Sequence, residues 1–434
     1  MEQHFPKDTF ESERRIFFPY TQETLHLFNT DLNGSQERKE MKQYLSKELD
    51  VLAQQPEICA SSLPFTGIEA RETLRFHRSL PLYRETALLS LSAAAARYGT
   101  GGIYVKDEST RFGLKAFKGL GGSYSMFRIL CEKLGLDPRT ASYPDFLREE
   151  IRGRCRRIEF ATATDGNHGK GVSWAAKLFG CRAHVFMPKG TVEARRRAIE
   201  EAGNAEALIT DVNYDKTVQL AASLAEQNGW ILIQDTSWPG YEKIPHWIME
   251  GYLTLAAEAE KQLGGKEPTH IFLQAGVGAM AGSLASYFLS RAADRKPLIT
   301  VVEPKAAACF YVSAQAEDGK AHSIEGNPVT IMAGLNCGTP CESVWPLLRD
   351  GSAFFAACDD RITEDGMRTY ANPLGADPAV KAGESGAVSY GLLLKILQSP
   401  ELRSFFRIDR DSVILLVNTE GDTDPENYKR IVGE

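Results

Sequence analysis

The chain has 434 residues, with 50 Lys and Arg against 57 Asp and Glu, a formal net charge of −7. At about 150 residues per domain, this length predicts two or three domains or one large two-lobed enzyme. A hydrophobic fraction of 43% with 25% charged residues excludes disordered, collagen-like and disulfide-framework chains. The acidic balance argues against a nucleic-acid binder, which would carry a basic surplus. The N-terminal stretch MEQHFPKDTFESERR lacks the apolar centre of a signal peptide. No run approaches the ~18 apolar residues of a membrane span, and eight scattered cysteines fit a reduced, cytoplasmic compartment. Cys337 and Cys341 are the closest pair, but no second Cys or His pair lies at ligand spacing, so no metal site is expected.

In chain order, the first ~75 residues read as a polar, helical extension. Met41, Tyr44, Leu45, Leu49 and Leu52 would share one face of a helix. From about residue 100 the pattern changes. Strands are predicted at 102–108, 157–165, 181–188, 206–212, 230–235, 269–276, 298–304 and 412–422. Helices are predicted at 169–180, 191–204, 213–229 and 251–265. Strands rich in Ile, Val, Leu and Phe alternating with helices imply an α/β fold with open, mostly parallel sheets covered by helices. Arginines at 148–157 and 195–197 are interleaved with glutamates, which makes them solvated helix faces rather than a phosphate surface. Ligands of open sheets bind at the carboxyl ends of strands, so four strand-end segments carry the functional argument.

The first, KDESTRFGLKAFKGLGGSY (106–124), sets Lys118 between Phe117 and a glycine-rich helix start. A lone lysine is usually a surface charge. Burial beside an aromatic would favour the neutral amine, the nucleophile for Schiff-base chemistry. The second, ATATDGNHGKG (161–171), turns from a strand into a helix. Its amides and hydroxyls could grip an oxyanion, or simply make a good turn and cap. Asp165 is its only carboxylate and the natural acid/base candidate there. The third, LQAGVGAMAGS (273–283), places Gly276, Gly278 and Gly282 at a helix start, with Glu303 ending the next strand. Phosphate binding suits this pattern, and so does a dinucleotide fingerprint, which would make the chain an NAD-dependent oxidoreductase. The fourth, LLVNTEGDTD (415–424), offers Thr419, Asp422, Thr423 and Asp424 to a ligand, a cation or one another. Before it, GESGAVSYG (383–391) puts Glu384 ahead of a small-residue helix start.

In combination and in this order, AFKGLGG, TDGNHG, AGVGAMAG and NTEGD resemble the fold-type II pyridoxal-phosphate enzymes, the group of threonine dehydratase and the tryptophan synthase β chain. Within that group, the longer strings KDES-RFGL-AFK, ATATDGNHGKGVSWAA, QDTSWPGYEKIPHWIMEGY and IMAGLNCG look like the diaminopropionate ammonia-lyases. The resemblance covers about residues 75–425. Two departures stand out. Lys115 replaces an expected Asn, and Glu85-Thr86-Ala87-Leu88 replaces the usual Pro-Thr-Pro-Leu entry, which lies near the substrate side in the group.

The resemblance implies pyridoxal 5′-phosphate, carried by Lys118 with Phe117 against its ring. It implies that Asn167 contacts the ring oxygen, that Gly276, Val277, Gly278, Ala279 and Met280 bind the phosphate, and that Thr419 meets the pyridine nitrogen. Glu384 is counted with the cofactor-binding residues. The implied reaction is α,β-elimination of 2,3-diaminopropionate to pyruvate and two ammonia, with Lys118, Asp165 and Asp235 as the catalytic groups. Serine or threonine dehydration and amino-acid racemisation are the alternatives on the same fold. The resemblance also implies a homodimer acting on a small amino acid. Residues 76–120 and 237–434 would form the large domain and 121–236 the small one, with 1–75 packed on the large domain.

Overall fold

The protein's computed structural model describes residues 24–26, 41–59, 62–164, 166–292, 295–326 and 328–433. The strands before residue 110 are β1 (Thr24–His26), β2 (Lys42–Leu45), β3 (Leu49–Ala53), β4 (Leu88–Ser90) and β5 (Gly102–Asp107). Next come β6 (Glu159–Ala163), β7 (Arg182–Met187), β8 (Ala205–Ile209) and β9 (Ile231–Leu232). The last four are β10 (His270–Gln274), β11 (Leu298–Pro304), β12 (Ser352–Cys358) and β13 (Val413–Asn418).

They form a nine-stranded sheet, ordered β1-β2-β3-β12-β11-β10-β13-β5-β4, and a four-stranded sheet, ordered β8-β7-β6-β9. The small sheet is wholly parallel. In the large one β12, β11, β10, β13 and β5 run parallel, with antiparallel strands at both edges. Every residue of β10 and β12 is buried, as befits central strands covered on both faces.

The N-terminal region departs from the helix expected there. Residues 42–53 form the antiparallel hairpin β2–β3, and β3 pairs with β12 from Ala53↔Phe354 to Leu49↔Cys358. Leu49, Val51 and Ala53 enter one core cluster while Leu52 enters the other. The spacing that suggested one helical face is met instead by alternation across a strand with apolar layers on both sides. A helix does follow, Gly67–Arg78, started by a Thr66/Glu69 capping box. Helix 251–265 begins earlier than expected, running from Lys243 to Leu263 with most of its surface buried. β12 escaped prediction because SAFFAAC carries neither a β-branched residue nor polar alternation.

Three helices are packed through glycines in the middle of the molecule. A Cβ on Gly121 would lie 2.7 Å from Ile248 and Tyr252, and one on Gly251 would lie 2.6 Å from the Leu120 carbonyl oxygen. A Cβ on Gly171 would lie 2.9 Å from the Lys118 carbonyl oxygen. Helices Gly119–Leu134, Lys243–Leu263 and Asn167–Phe179 can therefore approach almost backbone to backbone. This brings the carboxyl ends of both sheets onto the start of the first of these helices.

Candidate active site

Several polar groups of the main cleft stand at the end of a strand or beyond it. Thr164 follows β6, Asp235 lies beyond β9, Gln274 ends β10, Thr419 follows β13, and Lys118 lies beyond β5 at the start of helix Gly119–Leu134. Together with Phe117, Asn167, Gly276, Val277, Gly278, Ala279 and Met280 they line one cleft. Glu384 is set apart. It lines an adjoining recess with Lys170, Arg195 and Glu420, and Asn427 donates a hydrogen bond to its carboxylate. Burial and the nearby Glu420 push its carboxyl up to about 7. Asp165 lies outside the described residues.

Lys118 Nζ stands 2.5 Å from Asp235 Oδ2 and 5.4 Å from the centre of the Phe117 ring. Burial alone would push this ammonium down, but the Asp235 charge more than offsets it and holds the lysine above its ordinary value. For Asp235, burial raises the carboxyl, and the opposing Lys118 charge brings it down to about 2. His168 closes the group. Its Nε2 lies 2.9 Å from the Ile233 carbonyl oxygen and must donate to it, which leaves the Nδ1 lone pair 3.8 Å from Asp235 Oδ2. Burial and the Lys118 charge outweigh the pull of Asp235, so this imidazole sits below its usual value and is neutral.

On the opposite wall, β10 runs through Gly276–Gly278 into helix Ala279–Arg291. Gly278 has φ +91°, a left-handed conformation suited to glycine. A Cβ on Gly276 would lie 3.1 Å from the Gly334 carbonyl oxygen and 3.2 Å from Cys337 Sγ, so glycine keeps this floor open. The first N–H groups of such a helix have no carbonyl one turn earlier and face the cleft as an anion site. Glu303 does not serve a dinucleotide here. Both its oxygens accept backbone N–H bonds, from Phe310 and Tyr311, each at 2.8 Å. A Cβ on Gly278 would meet the Phe310 ring rather than a ligand.

Asn167 donates one amide N–H to Glu420 Oε2 at 2.5 Å and keeps a second for a ligand. Its partner Glu420 was not apparent from the sequence, nor were His168, Tyr214, Gln274 and Ser385, which also line the cleft. His168 and Glu420 lie inside the quoted TDGNHG and NTEGD strings, so the motifs held them without singling them out. Asp422 and Asp424 have local work instead. Asp422 pairs with Lys115 at 2.7 Å, and Asp424 caps helix Pro425–Val432. Lys115 thus points away from Lys118. Its φ of +58° is the left-handed conformation that asparagine tolerates better than lysine, which accounts for the Asn expected there.

The second departure is structural as well. No residue of 77–91 lines the cleft. The Thr86 hydroxyl donates to Glu108 at 2.6 Å, and its carbonyl receives Lys106 Nζ. Lys106 and Arg111 each stand 2.7 Å from Glu258 in a wholly buried ion network. Replacing Glu258 by Gln strands two buried cations against one carboxylate, Glu108. We expect a loss of about 3–5 kcal/mol, read as a lowered denaturant midpoint; an unchanged midpoint would show that the network contributes nothing.

The fit to pyridoxal phosphate rests on this geometry: a lysine amine, a helix N-terminus for a phosphate, and a buried hydroxyl, all lining one cleft. Comparison with known proteins agrees. Residues 80–419 match the family described as pyridoxal-phosphate dependent enzymes. The chain is 46% identical over 373 residues to a diaminopropionate ammonia-lyase of Salmonella typhimurium, covering 84% of this chain and 92% of that one. The chain belongs to the diaminopropionate ammonia-lyase family. Its fold agrees with the Escherichia coli diaminopropionate ammonia lyase solved with an aminoacrylate-PLP azomethine reaction intermediate. The TM-score is 0.82 at 42% identity, over 89% of this chain and 97% of that one. The same enzyme solved with D-serine gives a TM-score of 0.81 at 41% identity, over the same shares of the two chains. Among the described residues, no helix is long and apolar enough to cross a membrane.

Proposed function

We propose that the protein eliminates the β-amine of 2,3-diaminopropionate as ammonia, leaving aminoacrylate, which water hydrolyses to pyruvate and a second ammonia. The observation that carries this reading is the buried Lys118–Asp235 pair facing the Gly276–Met280 helix start, in a chain of this family. Bound pyridoxal phosphate would supply delocalisation of the charge that develops at Cα. Lys118 would hold it and Phe117 would flank its ring. Asn167 would meet the ring oxygen, the amides of Gly276, Val277, Gly278, Ala279 and Met280 would grip the phosphate, and Thr419 would meet the ring nitrogen.

As a neutral amine, Lys118 would take the α-proton from one face. Asp235 changes character in step with it. While Lys118 is charged, Asp235 stays ionised; with the Lys118 amine engaged elsewhere, the counter-charge would be lost and burial would push the carboxyl upward. A protonated Asp235 can then deliver its proton to the departing β-amine, which leaves poorly unless protonated. Asp165 is the base for the opposite face, which lets the site accept both enantiomers; the D-serine complex of the Escherichia coli relative supports that reading. Asp165→Asn should lower turnover of one enantiomer by about 10²-fold and leave the other nearly unchanged, measured as pyruvate release from D- and L-substrate. Equal losses on both would refute the two-base arrangement.

Turnover of diaminopropionate, serine and threonine by the cofactor-loaded protein tests the substrate. Diaminopropionate should give the highest kcat/KM, and a preference for serine or threonine would make the enzyme a dehydratase. The reading also divides the chain into a large domain, 76–120 with 237–434, and a small domain, 121–236. It takes the protein to be a cytoplasmic homodimer, which sedimentation of the purified protein checks.

A further inference from the structure

We infer that the recess beside the main cleft is a second binding site, for a small zwitterionic amino acid whose carboxylate meets Lys170 and whose ammonium meets Glu384. That the occupant is a substrate on its way to the cleft rests on the lyase reading above; that an amino acid binds there does not.

The recess joins the main cleft at Asn167, Gly334 and Glu420, which line both. One wall is cationic and comes from helices that follow strands of the small sheet. Lys170 lies on Asn167–Phe179, after β6, and Arg195 on Glu193–Ala202, after β7. The other wall is anionic and belongs to the large sheet. Glu420 follows β13, and Glu384 opens helix Glu384–Gln398, which packs on β10 and β13. Small residues, Gly166, Ala198, Ala333 and Gly334, also line the recess and leave room between the walls.

Two of these charges are poorly answered by the protein. Among the described residues, Lys170 Nζ makes no hydrogen bond and no ion pair, and burial pulls its ammonium down to about 8 despite the Glu420 charge. Glu384 is only 4% exposed, and Asn427 is its one side-chain donor among the described residues. Glu420 is better served, accepting from Asn167, Thr423 and the Ser385 amide. A charge taken out of water without a counter-charge is costly, and a ligand that brings the opposite charge removes that cost. A carboxylate answers Lys170, and an ammonium answers Glu384. Two glutamates and one unpaired lysine match two ammonium groups and one carboxylate, the pattern of diaminopropionate with both amines protonated. Serine brings one ammonium, which Glu420 alone can meet.

The experiment is calorimetric titration of the pyridoxal-phosphate-loaded protein after borohydride reduction. Reduction ties the cofactor permanently to its lysine, so an added amino acid cannot displace it and the heat reports non-covalent binding. Diaminopropionate should bind once per chain, and more tightly than serine. Lys170→Gln should weaken both ligands by about 10-fold, because they share the carboxylate. Glu384→Gln should weaken diaminopropionate by about 10-fold and serine by less than about 2-fold. A wild type that binds neither ligand, or binds serine as tightly as diaminopropionate, overturns the inference even if neither variant folds. Binding that neither substitution weakens puts the ligand in the main cleft and overturns it too, as do equal losses of both ligands in Glu384→Gln. If the wild type takes up no cofactor, the reading above fails, and the same titrations on the untreated protein decide the recess by the same outcomes.

Discussion

Lys118→Ala should abolish the visible absorbance that pyridoxal phosphate gives on binding, and lower turnover by more than about 10³-fold. Loss of a general base alone costs about 10²–10⁴-fold, and Lys118 is asked both to hold the cofactor and to move the α-proton. Among the described residues, no other amine lines the main cleft. Lys115 is turned outward onto Asp422, and Lys170 opens into the adjoining recess rather than the main cleft. The substitution should leave the fold intact, since among the described residues Lys118 Nζ bonds only Asp235, and burial of the remaining carboxyl is relieved by protonation. Absorbance and turnover measured on a variant with an unchanged circular dichroism spectrum check this. Retained absorbance would move the cofactor to a different lysine.

Asp235→Asn has the second-largest expected effect. It removes both the acid for the leaving amine and the counter-charge that holds the Lys118 ammonium up against burial. With the carboxylate gone, burial remains as the main influence on Lys118, and its pKa falls. Capture of the cofactor requires the neutral amine, so its pH midpoint should move to lower pH in the variant, with turnover of diaminopropionate reduced by about 10²–10⁴-fold. The two effects have opposite signs for function: the cofactor binds at lower pH while the reaction slows. Titrating cofactor absorbance against pH in both proteins, beside initial rates, reads them separately. An unchanged midpoint together with unchanged turnover would reduce Asp235 to a structural hydrogen-bonding residue.

The parallel sheets were legible because Ile, Val and Phe alternating with helical segments have few other solutions, and the strand-end rule led directly to Lys118, Gly276–Met280 and Thr419. The N-terminal hairpin was not legible. Tyr44, Leu49 and Leu52 satisfy helical spacing, and only the open edge of β12 decides that they form strands. Partner choice was equally hidden. Nothing in the order of residues pairs Asp235 with Lys118 across 117 positions, or sets Gln274 against Val417 and Ser385. The 77–91 departure reads as a change beside the substrate, and it becomes part of a buried ion network only when Glu258 is brought to Thr86. Glu384 shows the converse. A carboxylate at a helix entry marks a site in sequence, and Asn427 fixes it in the neighbouring recess.

The central claim is that the cofactor is held by Lys118 in the cleft between β5, β10 and β13. Borohydride reduction of the pyridoxal-phosphate-loaded protein, followed by peptide mass mapping, tests it most directly. The account predicts a single phosphopyridoxyl group on the peptide containing Lys118. Modification at Lys115 or Lys170 in place of Lys118, or no stable modification at all, would contradict it.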